Sequence, residues 1–191
     1  MQNLFNYISE KIPLDSKAKN FLLSISKEIF LKKNTILIEP NKNIDKTYFV
    51  INGCVRSFFY DIHGREHTLQ FAINNFWISD YIALYNKELT TLTIETIHDT
   101  KLIEFNISDV HKVCDNFPEF AKMQRNLLEK HVATLGKRII NLLQLSAEER
   151  YVFFKKNHPE LDPYLFDYHI ASYLGITQQS LSRIRSNLKT N

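Results

Sequence analysis

The hydrophobic pattern of the chain changes twice, near residues 27 and 107, and the second change constrains the fold more than any other feature. From about Glu28 to Phe105, short runs rich in Ile, Val, Phe, Tyr and Thr are separated by turn residues such as Asn52 and Gly53. Short strands at such spacing predict a barrel or jelly roll. After this region the apolar residues recur at helical spacing. The pattern therefore predicts an α+β protein, with a β-roll first and helices after it.

Two further patterns occur, one before the roll and one inside it. Residues 3–26 have apolar positions at helical spacing, and Pro13 is expected to open a second helical segment there. Inside the roll, the stretch FFYDIHGREHTLQF predicts a hairpin that turns near Asp61–Gly64. The roll is therefore expected to follow one or two short helices.

The segment from Phe117 to Leu145 is predicted to form one long helix with an apolar seam. A helix that lies on its own domain is one interpretation of this seam. We favour a dimer, because a helix of about 40 Å between a β-rich domain and a small one would otherwise lack a long partner. A capping box over Ser146–Glu149 predicts that a new helix follows, to about Asn157. The seam residues alternate in steps of four and three, as in a coiled coil: Leu128, Val132, Leu135, Ile139 and Leu142.

The stretch SYLGITQQSLSRIR, residues 172–185, has the pattern of a helix-turn-helix. Gly175 is the expected corner, because glycine adopts a positive φ without steric cost. Thr177 is placed to cap the second helix with its hydroxyl. Ala171 is small where the two helices are expected to cross. The inside of the crossing is predicted to be apolar: Ile170, Leu174, Ile176, Leu181, Ile184 and Leu188.

The outer face of the second helix suits a polyanion. No carboxylate occurs from Thr177 to Asn191, although the net charge of the whole chain is only +3. In the major groove, Gln178, Gln179 and Arg183 are expected to contact base edges, since glutamine pairs with adenine and arginine with guanine. The remaining polar residues are expected to contact the DNA backbone: Thr177, Ser180, Ser182, Arg185 and Lys189.

The order of roll, long helix and helix-turn-helix resembles the Crp/Fnr family of dimeric bacterial transcription regulators. The stretches ASYLGITQQSLSRIR and RYVFFKKNHPEL resemble the Bacteroidetes type of that family. The resemblance implies a cyclic-nucleotide-binding-like sensor domain over 1–115, a dimerisation helix over 116–145 and a helix-turn-helix DNA-binding domain over 146–191. The family's wing, a β-hairpin after the second helix, is expected to be truncated, since the sequence ends at Asn191.

The resemblance also implies function and partners. It implies a cytoplasmic homodimer that binds an inverted repeat in double-stranded DNA, contacts RNA polymerase and responds to a small-molecule effector. Neither an enzymatic activity nor a resident cofactor is expected. A membrane partner is not expected either, because the longest apolar runs are too short to span a bilayer.

The segment that binds the cyclic nucleotide in the family is altered in this sequence. In cyclic-AMP-binding members it carries a Gly-Glu pair and, about ten residues later, an arginine that pairs with the phosphate. Residues 74–97, here called the cassette, have Trp77-Ile78 and Thr90-Thr91 at these places and no arginine from 77 to 97. Cyclic AMP is therefore not expected, and the effector is unknown. The candidate effector pocket comprises Trp77, Tyr81, Tyr85, Thr90 and Thr91.

Two other functions stay open. A cupin-like small-molecule-binding or metal enzyme has a related roll and would use the helical tail only structurally. His63 and His67 flank the predicted hairpin turn, but no third ligand is evident, so no metal site is expected. A DNA-binding module without a working sensor is the remaining interpretation.

Overall fold

The computed structural model describes the backbone of residues 1–190 and the side chains of residues 1–188. None of the described helices is long and apolar enough to cross a membrane. The helices are α1 (Gln2–Ser9), α2 (Ser16–Ile25), α3 (Tyr81–Asn86), α4 (Ile107–Asn116), α5 (Pro118–Gln144), α6 (Ala147–Asn157), α7 (Asp167–Leu174) and α8 (Gln178–Thr190). The strands are β1 (Ser26–Leu31), β2 (Ile36–Ile38), β3 (Lys46–Asn52), β4 (Val55–Tyr60), β5 (Glu66–Ala72), β6 (Trp77–Ile78), β7 (Thr93–Thr96) and β8 (Thr100–Asn106).

The strands form two four-stranded antiparallel sheets. The first sheet has the order β1-β8-β3-β6 and the second has the order β2-β7-β4-β5. Alternate side chains point between the sheets, among them Val50 and Leu102 of the first sheet and Val55 and Ile94 of the second. This arrangement confirms the predicted α+β class with an N-terminal β-roll.

The outer face of the first sheet is covered by helices. Phe49 and Phe105 on this face are buried against Leu4 and Ile8 of α1 and against side chains of α2, α4 and the start of α5. Helix α2 begins at Ser16, where the Asp15 carboxylate accepts a hydrogen bond from the Ala18 amide. Pro13 therefore lies in the linker between the helices, and its predicted place at a helix start is wrong.

Two tight turns hold the ends of the strands. The β4–β5 hairpin turns at Asp61–Gly64 as predicted, and the Asp61 carboxylate accepts hydrogen bonds from the His63 and Arg65 amides. The β3–β4 turn packs on the β7–β8 turn, where the Cys54 amide donates to Thr100 Oγ1 at 3.2 Å. Gly53 makes this approach possible, because its φ is +107° and a Cβ there would lie 2.5 Å from Thr100 Oγ1.

The long helix α5 begins with Pro118 in its first turn, a position that tolerates proline. Its first two turns bury Phe120 and Met123 in the core. Beyond them, all five predicted seam residues are exposed, by 39% at Leu128 to 67% at Val132. The chain's own domains therefore leave this apolar face open, as a dimer seam requires.

The C-terminal helices share a core with the roll. The predicted capping box is present, since Ser146 Oγ accepts from the Glu149 amide and Glu149 accepts from the Ser146 amide. Behind it, residues of α6, α7 and α8 are buried together with residues of the second sheet and its turns. This shared core comprises Cys54, Phe71, Ile73, Ile97, Tyr151, Phe154, Leu161, Ile170, Ala171, Leu174, Leu181 and Ile184.

Candidate nucleic-acid interface and ligand cavity

The corner between α7 and α8 has the geometry that the sequence predicts. Gly175 has a φ of +68°, which places it in the left-handed region. The Ile176 amide returns to the Ala171 carbonyl at 3.0 Å and so closes the end of α7. Thr177 Oγ1 accepts from the Ser180 amide at 3.1 Å, which confirms Thr177 as the cap of α8.

The inside of the α7–α8 crossing is apolar, with one exception to the prediction. Ile170, Ala171, Leu174, Leu181 and Ile184 are buried, and Ile176 packs at the edge. Leu188 is 37% exposed, so its predicted place inside the crossing is wrong. It lies one helical turn beyond Ile184, where the eight residues of α7 no longer cover the longer α8.

The opposite face of α8 is open to solvent. Gln178, Gln179, Ser182 and Arg183 are exposed. Among the described residues, Arg183 takes part in no ion pair, so its guanidinium donors are free for a partner. Ser180 is half-buried, and its hydroxyl is hydrogen-bonded to the Thr177 hydroxyl at 3.0 Å.

Arg185 has partners inside the domain that the sequence did not predict. Its guanidinium donates to the Asp167 carboxylate at 2.5 Å and to the Tyr151 hydroxyl at 3.1 Å. These bonds tie α8 to α7 and α6, so Arg185 has partners within the domain, and its predicted contact with the DNA backbone stays a prediction. The side chain of Lys189, the other predicted basic contact, lies outside the described residues.

Helix α7 is docked on strand β5 of the roll. Ser172 Oγ accepts from the Thr68 amide at 2.8 Å, and the two hydroxyls are 2.9 Å apart. The rings of Phe71 and Tyr173 pack with their centroids 5.4 Å apart. The pKa of the neighbouring His169 is lowered by burial to about 3, so this side chain is neutral in the interface at ordinary pH. The helix-turn-helix and the roll are therefore in direct contact.

The cassette is organised around a carboxylate of its own. Asp80 is buried, and its Oδ1 accepts from the Ile82 and Ala83 amides at the start of α3, each at 3.1 Å. Its Oδ2 accepts from the Thr90 hydroxyl at 2.5 Å. The amides that an incoming phosphate would need are thus occupied by an anion, which would also repel it.

The buried arginine of the roll offers no substitute for the missing phosphate partner. Arg56 is 4% exposed and donates to the Glu66 carboxylate at 2.6 Å and to Glu95 at 2.8 Å. Two carboxylates therefore already neutralise this cation.

We expect cyclic AMP at low millimolar concentration to leave the melting temperature unchanged. A ligand that binds only the folded state stabilises it in proportion to its occupancy, by about 2.7 kcal/mol at a hundred times the dissociation constant. Differential scanning fluorimetry measures this shift, with 5′-AMP as the matched control for non-specific anion effects. A rise with cyclic AMP alone would show that the cassette holds a cyclic phosphate despite Asp80.

Three of the five predicted effector-pocket residues line one cavity. Trp77, Tyr81 and Tyr85 belong to its wall, and its volume is about 680 Å³. Thr90 and Thr91 do not line this cavity: Thr90 is buried and bound to Asp80, while Thr91 is exposed. The cavity also has a wall from α1 and α5, which the sequence patterns did not connect with the cassette.

The histidines of the β4–β5 hairpin form no metal centre. His67 Nε2 lies 3.1 Å from Asp61 Oδ2, and the His67 ring stacks on Phe59. Within residues 1–190, no group of three or more His, Cys, Asp or Glu side chains is arranged to hold a metal ion.

Comparison with known proteins agrees with this architecture. Residues 28–117 match the cyclic nucleotide-binding domain family, and no curated protein sequence matches the chain. The regulator CLP of Xanthomonas campestris is similar over 92% of both chains, with 14% identity and a TM-score of 0.75. FixK2 of Bradyrhizobium japonicum is similar over 87% of this chain and 85% of its own, with 20% identity and a TM-score of 0.72.

A third solved structure bears the family's name. It is a regulator from Eubacterium rectale assigned to the Crp/Fnr family, with 18% identity and a TM-score of 0.72, and the similarity covers 97% of this chain and 88% of the other. At such low identities, these structural similarities show a shared fold and no more. Residues 28–117 therefore resemble a cyclic nucleotide-binding domain, and the chain as a whole has the fold of the Crp/Fnr regulators.

Proposed function

We propose that the chain is a sequence-specific DNA-binding transcription regulator that acts as a homodimer on an inverted repeat. The observation that carries this proposal is the exposed, acid-free face of α8, the second helix of a helix-turn-helix that is joined to a Crp/Fnr fold. The solved structures of similar fold support it, because CLP is described as a c-di-GMP-responsive global regulator.

Base readout is assigned to three exposed side chains. Gln179 and Arg183 are four residues apart, so they lie on the same face of α8, and Gln178 is at its first turn. Arginine donates two parallel hydrogen bonds to guanine, and glutamine pairs with adenine in the same manner. Ser182 and the amides at the start of α8, which Thr177 and Ser180 flank, are assigned to the phosphate backbone.

The dimer is assigned to the seam of α5. Leu128, Val132, Leu135, Ile139 and Leu142 would pair with the same residues of a second copy, since a two-fold interface brings identical patches together. Two α8 helices would then enter successive major grooves about 34 Å apart. An effector would act by binding unequally to two arrangements of the DNA-binding domains. Contact with RNA polymerase stays a prediction of the family resemblance.

We expect Arg183→Ala to weaken binding to the selected site by about 1–3 kcal/mol and to relax the preference at one base pair. The reason is that the free guanidinium of Arg183 supplies both affinity and base discrimination. Selection of bound sequences from random DNA, followed by titration of the wild type and the variant, measures both effects.

Lys156→Ala is the matched control for Arg183→Ala. Lys156 is an exposed cation on α6 of the same domain, so its loss changes the charge equally without touching the α8 face. An Arg183→Ala loss that is equal on selected and random DNA would contradict base readout and leave only a backbone contact.

The data favour this function over a cupin-like enzyme. The described part of the chain holds no cluster of potential metal ligands, and the hairpin histidines are bound to Asp61 or exposed. A regulator with an inactive sensor differs from the proposal only in that the cavity beside Trp77 binds no effector.

A further inference from the structure

The cavity beside Trp77 lies outside the β-sandwich. Its walls come from the helix-covered face of the first sheet, with Trp77 and Phe105, from Leu4 and Ile8 of α1, from β5 of the second sheet and from the middle of α5. The space between the two sheets is filled instead by side chains such as Val50 and Ile94. The cavity opens to solvent, and its volume of about 680 Å³ is the size of a site for a small organic ligand.

The wall of the cavity is apolar and its charges are mostly positive. Its lining includes the aromatic side chains of Tyr7, Phe76, Trp77, Tyr81 and Phe105. The basic residues of the lining are Lys11, Lys130, His131, Arg138 and His158, and its one acidic residue among those described is Glu160. Such a cavity suits a molecule with an apolar body and one negative charge.

Arg138 of α5 is the cation whose environment points most directly to a ligand. Its guanidinium donates to the backbone carbonyls of Leu69, Thr68 and Tyr173, and it lies over the Tyr173 ring at 4.0 Å. No carboxylate among the described residues pairs with it, and burial lowers its pKa. Three of its five N–H groups bind carbonyls, so two remain for an acceptor.

We propose that this cavity binds a small apolar carboxylate, with its acid group on Arg138 and its body against Trp77 and Phe105. A half-buried cation with no carboxylate partner is costly, and a carboxylate ligand relieves this cost through charge-assisted hydrogen bonds. The aromatic wall removes the apolar body of the ligand from water.

The position of Arg138 also couples the cavity to the rest of the molecule. Through Leu69 and Tyr173 it joins β5 of the roll to α7 of the helix-turn-helix, and the seam residues Leu128 and Leu135 border the same cavity. A carboxylate on Arg138 competes for the donors that hold α7 in place. The ligand is therefore an effector of DNA binding, a role that rests on the proposed function.

Binding is tested without DNA, through the fluorescence of Trp77, the single tryptophan of the chain. The probes are 4-phenylbutyrate and its neutral analogue 4-phenylbutanol, then decanoate and decanol. We expect saturable changes in emission, with each acid binding about tenfold or more tighter than its alcohol, as a charge-assisted hydrogen bond provides. No change in emission, or equal affinities of acid and alcohol, would overturn the proposal.

Variants assign the charge to Arg138. Arg138→Gln should abolish the preference for the acid, and Arg138→Lys, which keeps the charge, should retain most of it. Lys130→Gln removes another cation of the same lining and should leave the preference intact. The proposal is wrong if Lys130→Gln abolishes the preference and Arg138→Gln does not.

Two further outcomes separate this proposal from the proposed function. An acid that binds a monomeric seam variant but not the wild type would show that a second copy's helix fills the cavity, and would refute a ligand site. For the effector role, the acid should change affinity for the selected DNA site by at least about fivefold. Acid binding that leaves the DNA affinity unchanged refutes the effector role. A protein that binds no DNA sequence specifically, with or without the acid, refutes the proposed function and leaves the ligand site standing.

Discussion

Replacing Ile139 with aspartate is expected to leave a folded monomer that has lost tight binding to the inverted repeat. Ile139 is 58% exposed on α5, so the change removes nothing from the core of the protomer. In a two-fold seam it places two carboxylates in an apolar interface, where an unpaired charge costs about 3–5 kcal/mol. The dimer dissociation constant should therefore rise on the order of a thousandfold, which sedimentation equilibrium measures.

Lys137→Asp provides the control for this seam variant. Lys137 is exposed two residues away, which places it on the opposite side of the helix from Ile139. It introduces the same side chain without entering the seam, and the dimer should persist. Ile139→Asp protein that sediments as the same species as the wild type would show that α5 is not the dimer interface. DNA binding should weaken when the dimer is lost, because the two DNA-binding domains are then no longer held at a high effective concentration for the two half-sites.

Replacing Gly53 with alanine is expected to destabilise the roll by roughly 3 kcal/mol or more. Part of this loss, about 1–2 kcal/mol, comes from a left-handed backbone with a Cβ, since φ is +107°. Overpacking adds about 1–3 kcal/mol, because the new Cβ would lie 2.7 Å from the Asp99 carbonyl oxygen and 2.8 Å from Thr100 Cα. For a chain of this size, the melting temperature should fall by about 6–12 °C.

Gly64 is the matched position for this experiment. It has a φ of +73° in the β4–β5 hairpin, but a Cβ there would have nothing within 4 Å. Gly64→Ala should therefore cost only the backbone share, about 1–2 kcal/mol. Thermal denaturation of both variants separates the stability lost to backbone strain from the stability lost to overpacking. Equal losses in the two variants would contradict the close contact between the β3–β4 and β7–β8 turns.

The elements that sequence patterns predicted well are those that local chemistry determines. Gly175, Thr177 and the capping box at Ser146 act within one or two helical turns of themselves, so a few neighbouring residues suffice to identify them. The exposure of the seam residues of α5 was also foreseeable from their period, which repeats at the spacing of a coiled coil.

The features that were missed depend on residues far apart in the chain. Arg185 looked like a free surface cation because its partner Asp167 is eighteen positions earlier. Thr90 and Thr91 look equivalent in the sequence, but only Thr90 reaches Asp80 and is buried. The cavity required α1, the first sheet and α5 together, and no periodicity within one element reports on such an assembly.

The shared core limits how a DNA-binding domain can be exchanged between regulators of this fold. Phe71, Ile73 and Ile97 of the roll are covered by Leu174 and Leu181 of the helix-turn-helix. A chain cut after α5 would expose these apolar residues to water as a surface prone to aggregation. A DNA-binding domain transferred from another regulator would have to pack against the same apolar surface with a complementary shape. DNA specificity is therefore changed most easily at the outer face of α8, where substitutions alter the exposed residues assigned to base contacts and leave the shared core intact.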